Sequence, residues 1–91
     1  MDSNQQQTIE RARRDLAQRL GISEAEITEA GVEKAEFSDA ALGAPVEDEM
    51  SAQVITAGWR IRLIADGQAY EYRANQQQLR LFNFNGENYR I

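Results

Sequence analysis

Apolar residues in the first twenty positions recur at intervals of three and four, at Ile9, Ala12, Leu16 and Leu20. That spacing puts them on one side of a helix, which is predicted over about 5–20. Arg11, Arg14, Asp15, Gln18 and Arg19 fall mostly on the other side. Gly21 stands where a left-handed residue closes a helix. A helix this short is not stable alone, so its apolar stripe must dock on something. Residues 1–7 are polar and Gln-rich and are expected to form a disordered polar tail. That leaves residues 8–91 as a single α+β domain.

Beyond Gly21 the period changes. Ser23 and Glu26 have capping-box spacing and predict a single helical turn at 24–27. "TEAGVEKAEF" then reads as a strand, with a bulge at Gly31 where the apolar parity shifts. "SAQVITA" (51–57) reads as one extended run that Gly58 ends or kinks. From Trp59 the alternation is strict. Trp59, Ile61, Leu63 and Ala65 point one way, Arg60 and Arg62 the other. Asp66-Gly67 is a two-residue hairpin signal, because a type I′ turn needs positive φ at both positions. Folding there sets Leu63 against Tyr70, Ile61 against Tyr72, Arg62 against Glu71 and Trp59 against Ala74, with Arg60 facing Arg73. A one-residue slip would expose every large side chain, so the register is over-determined. "NQQQ" (75–78) is a turn and "LRLFNF" a further strand. Asn85-Gly86 is a second hairpin signal, which would pair Phe82 with Tyr89 and leave Arg90-Ile91 at an edge.

One helix therefore precedes four or five antiparallel strands. A sheet with one apolar face needs one cover, and the first helix is the only long one available. The expected fold is α+β, a helix-on-sheet roll. Ile9, Leu16 and Leu20 should lie on Trp59, Ile61, Leu63, Tyr70 and Tyr72. The architecture is similar to cystatin-type and PepSY-type rolls, a comparison of shape only.

Composition narrows the chemistry more than the fold. The 91 residues include no Cys and no His. The usual Ser-His-Asp and Cys-His nucleophile systems are therefore missing, as are zinc sites of the common N/S type. No phosphate-binding glycine motif is present. The net charge of −5 is unevenly spread. Glu24 to Glu49 holds nine carboxylates and one lysine, while both flanks are slightly basic. An acidic stripe beside a near-neutral sheet argues against nucleic acid and against an anionic membrane surface. Neither an apolar run of about 18 residues nor a signal-peptide pattern occurs. The chain is expected in the cytoplasm as written, or exported if a leader has been trimmed from it.

Residues 38–50, "SDAALGAPVEDEM", form a long loop, and long loops on rigid scaffolds often carry recognition. Asp39 is placed to cap the strand end or bond the loop backbone. Leu42 is expected to anchor the loop, with Gly43 and Pro45 shaping a rigid turn. Glu47 and Asp48, with Glu49, make a charge run. They read as a solvated face, a hard-cation site being the minor alternative. Trp59, Tyr70 and Tyr72 read as the core face under the helix rather than a binding platform. Arg60, Arg62, Arg73 and Arg80 share the opposite face and read as a solvated surface or a mild basic patch. "LRLFNF" carries few charges, so as an edge it could self-associate, giving a monomer or a weak dimer.

From about Arg11 to Ala74 the chain resembles a group of small, uncharacterised bacterial domains. Their pattern runs L-A-x-R-L-G, then W-P-D-x-x-L-G-C-P, then Q-V-I-T-P-G-Y-R-I, then Y-E-Y-H/R. Here the matching stretches are "LAQRLGI" (16–22), "FSDAALGAP" (37–45), "QVITAGWRI" (53–61) and "YEYRA" (70–74). Phe37 replaces the Trp, Ser38 and Ala57 replace prolines, and Ala44 replaces the Cys, so a role needing that thiol is not carried over. Members of the group often look exported or lipid-anchored. The resemblance implies a fold and a loop of interest, with no established activity.

The expected function is a non-enzymatic protein-binding or regulatory module with no cofactor and no metal. It would meet a protein partner through loop 39–50 or a sheet edge. Asp39, Leu42, Gly43, Pro45, Glu47 and Asp48 are its candidate residues. A protease-inhibitor-like domain is the first alternative. A small hydrolase using Asp39, Glu47 or Asp48 is the second.

Overall fold

The structure, a computed structural model, describes residues 3–91. Helix α1 (Ser3–Leu20) is followed by a single 3-10 turn (Glu24–Glu26) and five strands. These are β1 (Ile27–Phe37), β2 (Thr56–Ala65), β3 (Gln68–Ala74), β4 (Leu79–Phe84) and β5 (Glu87–Arg90). They form one antiparallel sheet in the order β1-β2-β3-β4-β5. The α+β helix-on-sheet arrangement is thus as the periodicities predict.

The helix starts inside the segment expected as a tail. Thr8 and Ile9 are already buried, which anchors the turn before them, and glutamine is a good helix former. Met1 and Asp2 lie outside the described residues. At the other end, Gly21 takes φ +69° and the Ile22 N–H donates to the Ala17 carbonyl at 3.0 Å. This closes the helix as a Schellman motif. The Ser23–Glu26 capping box forms in both directions, through the Ser23 hydroxyl and the Glu26 carboxylate.

The β2–β3 hairpin has the predicted register throughout, from Ala65 opposite Gln68 to Trp59 opposite Ala74. Asp66 and Gly67 both have positive φ, as its turn requires. Pairing of β1 with β2 shifts between Glu29 and Gly31, the predicted bulge. Two other expectations need correction. Strand β2 begins only at Thr56, so residues 51–55 are irregular, and Gly58 lies within the strand rather than ending it. In the last hairpin Leu81, not Phe82, stands opposite Tyr89. Asn83 takes a left-handed φ of 54° and its N–H donates to Asn88 Oδ1 at 2.8 Å. That inserts a bulge which moves the register by one residue. Strand β4 has a neighbour on each side, so "LRLFNF" is not an edge; β1 and β5 are.

The main core lies between α1 and one face of the sheet. Ile9, Ala12, Leu16 and Ala17 pack with Ile61, Leu63, Tyr72, Leu79 and Leu81, with Leu20 and Tyr70 at the margin. Fully burying side chains of this size contributes about 1.5–3 kcal/mol each. Asp15 and Arg19 are not simply solvent-facing, as the helical spacing suggests. The buried Tyr72 hydroxyl donates to Asp15 Oδ2 at 2.7 Å, and Arg19 Nε donates to the same oxygen at 2.8 Å. The Arg19 guanidinium lies 4.3 Å from the centre of the Tyr89 ring. Burial, then the Asp15 carboxylate, hold the Tyr72 phenol far above its ordinary range. This polar lock ties the helix to the middle of the sheet.

Candidate functional site

The face of the sheet away from α1 is not left to solvent. Cross-strand registers put Arg60, Arg73, Arg80 and Arg90 directly opposite one another on β2, β3, β4 and β5. Like charges so placed repel, and the chain neutralises them with its own groups. Glu33 of β1 stands opposite Arg60 and pairs with it at 3.5 Å. Glu71 takes Arg73 at 2.8 Å and Arg60 at 3.7 Å. Loop 38–50 supplies the rest.

That loop folds back across β3 and β4. Ala41, Leu42 and Ala44 are buried under it, with Phe37 at its start. The Arg73 guanidinium donates to the Leu42 and Gly43 carbonyls, at 3.2 and 3.0 Å, and lies 3.7 Å from the centre of the Phe82 ring. Arg80, only 5% exposed, grips Glu49 with two parallel bonds of 2.6 and 2.8 Å and donates to the Ala44 carbonyl at 3.2 Å. Glu49 also accepts the Val46 N–H at 3.0 Å. The Arg80 bonds are the main reason its carboxyl is lowered to about 2. Gln78 completes the latch, donating to the Ala40 carbonyl at 2.7 Å and accepting from Arg80 Nε at 2.7 Å.

The candidate residues divide in two. Asp39, Leu42 and Gly43 shape the loop. Asp39 Oδ1 accepts the N–H groups of Ala41 and Gly43 at 3.0 and 2.8 Å, so its carboxylate serves the backbone. Leu42 is fully buried at φ +58°. Gly43 takes φ +68°, and a β-carbon there would crowd the Arg73 guanidinium. Pro45, Glu47 and Asp48 lie on the outer surface. The arrangement brings the three carboxylates into no common cluster, and among the described residues no three acidic side chains converge as a metal site would need. Arg60, Arg62, Arg73 and Arg80 do not form an open basic patch. Arg73 and Arg80 are covered by the loop, Arg60 is ion-paired, and Arg62 alone is well exposed.

Two features were not among the candidates. One is the Glu49–Arg80 latch. Its signal is an arginine at the same alternation phase on four successive strands, which requires counter-charges from elsewhere. The other is the chain just beyond the latch. Met50, Val54 and Ile55 are 98%, 52% and 76% exposed. The sequence reads Val54 and Ile55 as part of an extended run, and nothing in their own spacing marks them as surface residues. The segment is fixed at both ends. Glu49 is held by Arg80, the Ala40 N–H donates to the Ala52 carbonyl at 2.9 Å, and Thr56 enters β2. Beside it an open groove of about 950 Å³ is lined by Lys34 to Glu36, Ile55 to Trp59 and Asn75 to Gln77. The buried indole N–H of Trp59 has no hydrogen-bond partner among the described residues.

No helix among the described residues is long and apolar enough to cross a membrane. No curated protein and no solved structure matches the chain. A family model does match, over residues 9–82, which takes in most of the helix, β1, the loop, β2, β3 and most of β4. The chain therefore belongs to the family described as a domain of unknown function (DUF8738).

Proposed function

We propose that this chain is a non-enzymatic protein-binding or regulatory module whose contact surface is the segment 46–55 with the adjoining end of β1. The observation behind this is the exposure of Met50, Val54 and Ile55 on one short, anchored stretch. Single exposed apolar residues are ordinary, but three within six positions, one of them lining the groove beside Trp59, are not. Because the stretch is tied at both ends, it can meet a partner with little further ordering cost. The inhibitor-like alternative needs loop 39–50 to protrude. Its first half instead lies flat with Leu42 buried, which favours a surface further along the chain.

The test is affinity capture with the full chain against a Met50→Asp/Ile55→Asp variant. Both sites are exposed, so the variant should melt within a few degrees of the parent. A partner held by the parent and lost by the variant supports the reading. Partners bound equally by both, with folding intact, would sink it.

A further inference from the structure

Strand β1 is one edge of the sheet, and β5, only Glu87–Arg90, is the other. The turn at Asp66-Gly67 makes Ala65 and Gln68 a hydrogen-bonded pair, and such pairs alternate along an antiparallel ladder. Counting back along β2, Arg60 and Gly58 turn their backbone groups toward β1, where Glu33 and Ala35 meet them. Val32, Lys34 and Glu36 are left with N–H and C=O groups aimed at the open edge. Their side chains share the helix face with Ile61, Trp59 and Ala57, and those of Lys34 and Glu36 are exposed. The bulge between Glu29 and Gly31 interrupts the first part of the strand, but Val32–Phe37 pairs with β2 residue for residue. Neither a proline nor a bulge guards that half.

We infer that two copies of this chain pair through Val32–Phe37, antiparallel about a two-fold axis at Ala35, joining their five-stranded sheets edge to edge. An antiparallel ladder matches edge-facing residues only with edge-facing residues, so the strand can meet its own copy in few registers. An axis at Glu33, Lys34 or Glu36 sets that residue against itself, and like charges directly opposite repel. An axis at Val32 brings the bulge into the ladder, and one at Phe37 runs the ladder past the end of the strand. With the axis at Ala35, Lys34 falls opposite Glu36 of the second copy, and the symmetry makes this pair twice. Ala35, with a single methyl group, meets itself in a non-hydrogen-bonded pair, where side chains come closest. Glu33 lies on the arginine face and keeps Arg60. The axis is perpendicular to the sheet, so both helices lie on one side and both loops on the other. This goes beyond the protein-binding reading above and uses neither Met50 nor Ile55, so the two can fail separately.

The experiment is analytical ultracentrifugation of the full chain from about 10 μM to about 1 mM, the range in which an interface of one short ladder dissociates. The parent should pass from monomer to dimer. Lys34→Glu and Glu36→Lys should each weaken the dimer about tenfold, since each turns two opposite-charge pairs into like-charge ones. Lys34→Glu/Glu36→Lys should restore it, because the exchange returns both pairs with their signs swapped. Both side chains are exposed, so the melting curves of all three variants should stay within a few degrees of the parent's. Hydrogen exchange read by NMR should find the Lys34 and Glu36 amides open in the monomer and slowed at high concentration. A chain still monomeric at the highest concentration would overturn the inference. So would a dimer indifferent to the single reversals, a dimer that the double reversal does not restore, or Lys34 and Glu36 amides that exchange equally fast in dilute and concentrated samples. A dimer abolished by Met50→Asp/Ile55→Asp would overturn it too, by placing self-association on the segment 46–55. Partner capture equal for the parent and that variant, with the dimer intact in both, would remove the module surface and leave this pairing.

Discussion

A β-carbon at position 58 would collide with the Ala74 carbonyl oxygen and press on the Phe37 ring. Glycine is there for closeness rather than for turning, since β2 runs straight through it. Gly58→Ala should therefore lower stability by about 1–3 kcal/mol, read as a fall in thermal midpoint with the helix signal unchanged below it. The sequence suggests a break at this position because glycine inside an alternating run more often marks a bend than a close approach. The same ambiguity affects Asn83. Its left-handed φ is what moves Phe82 out of register with Tyr89, and a lone asparagine between two phenylalanines gives no warning of it. Asp39 is the opposite case. An aspartate opening a glycine-containing loop has few other uses, and it bonds the backbone as its position implies.

Most of helix α1 and the register of the β2–β3 hairpin are legible because their information is local: a 3.6-residue stripe in one, a two-residue turn and a strict alternation in the other. Loop 38–50 was legible as a loop and opaque as a structure. Its partners Arg73, Gln78 and Arg80 come from β3, β4 and the turn between them, 30 to 38 residues further along the chain. Its buried side chains, Leu42 and Ala44, follow no period. The latch makes a pH prediction. The Glu49 carboxyl lies near 2 in the folded chain against an ordinary value of 4.5, mainly through its bonds to Arg80. A group lowered on folding contributes stability that is complete above its ordinary value and is lost as pH falls toward its folded one. Glu49→Gln keeps the shape but leaves Arg80 with a neutral partner. It should cost about 2–3 kcal/mol at neutral pH. It should also flatten the acid limb of the stability curve between pH 4.5 and 2, measured as urea midpoints across that range.

The molecule is a sheet with two unlike covers. On one side an amphipathic helix supplies hydrocarbon and a single polar lock from Asp15 to Tyr72. On the other, a loop supplies a few small apolar groups and the counter-charges for a line of arginines. Removing apolar surface from water stabilises in proportion to area, and the helix side holds most of that area. The loop side depends on pairs formed only when β3 and β4 already stand in register. Local openings should follow that difference. Native-state hydrogen exchange should find the amides of Ala41, Gly43 and Val46 exchanging through a low-energy opening, and those around Tyr72 exchanging only with global unfolding. The row of arginines makes the loop's fastening depend on the sheet: Glu49 finds its bidentate anchor on β4, and the Leu42 and Gly43 carbonyls find theirs on β3. The stretch that carries Met50 follows directly on Glu49, so whatever loosens the fastening changes how that stretch is displayed.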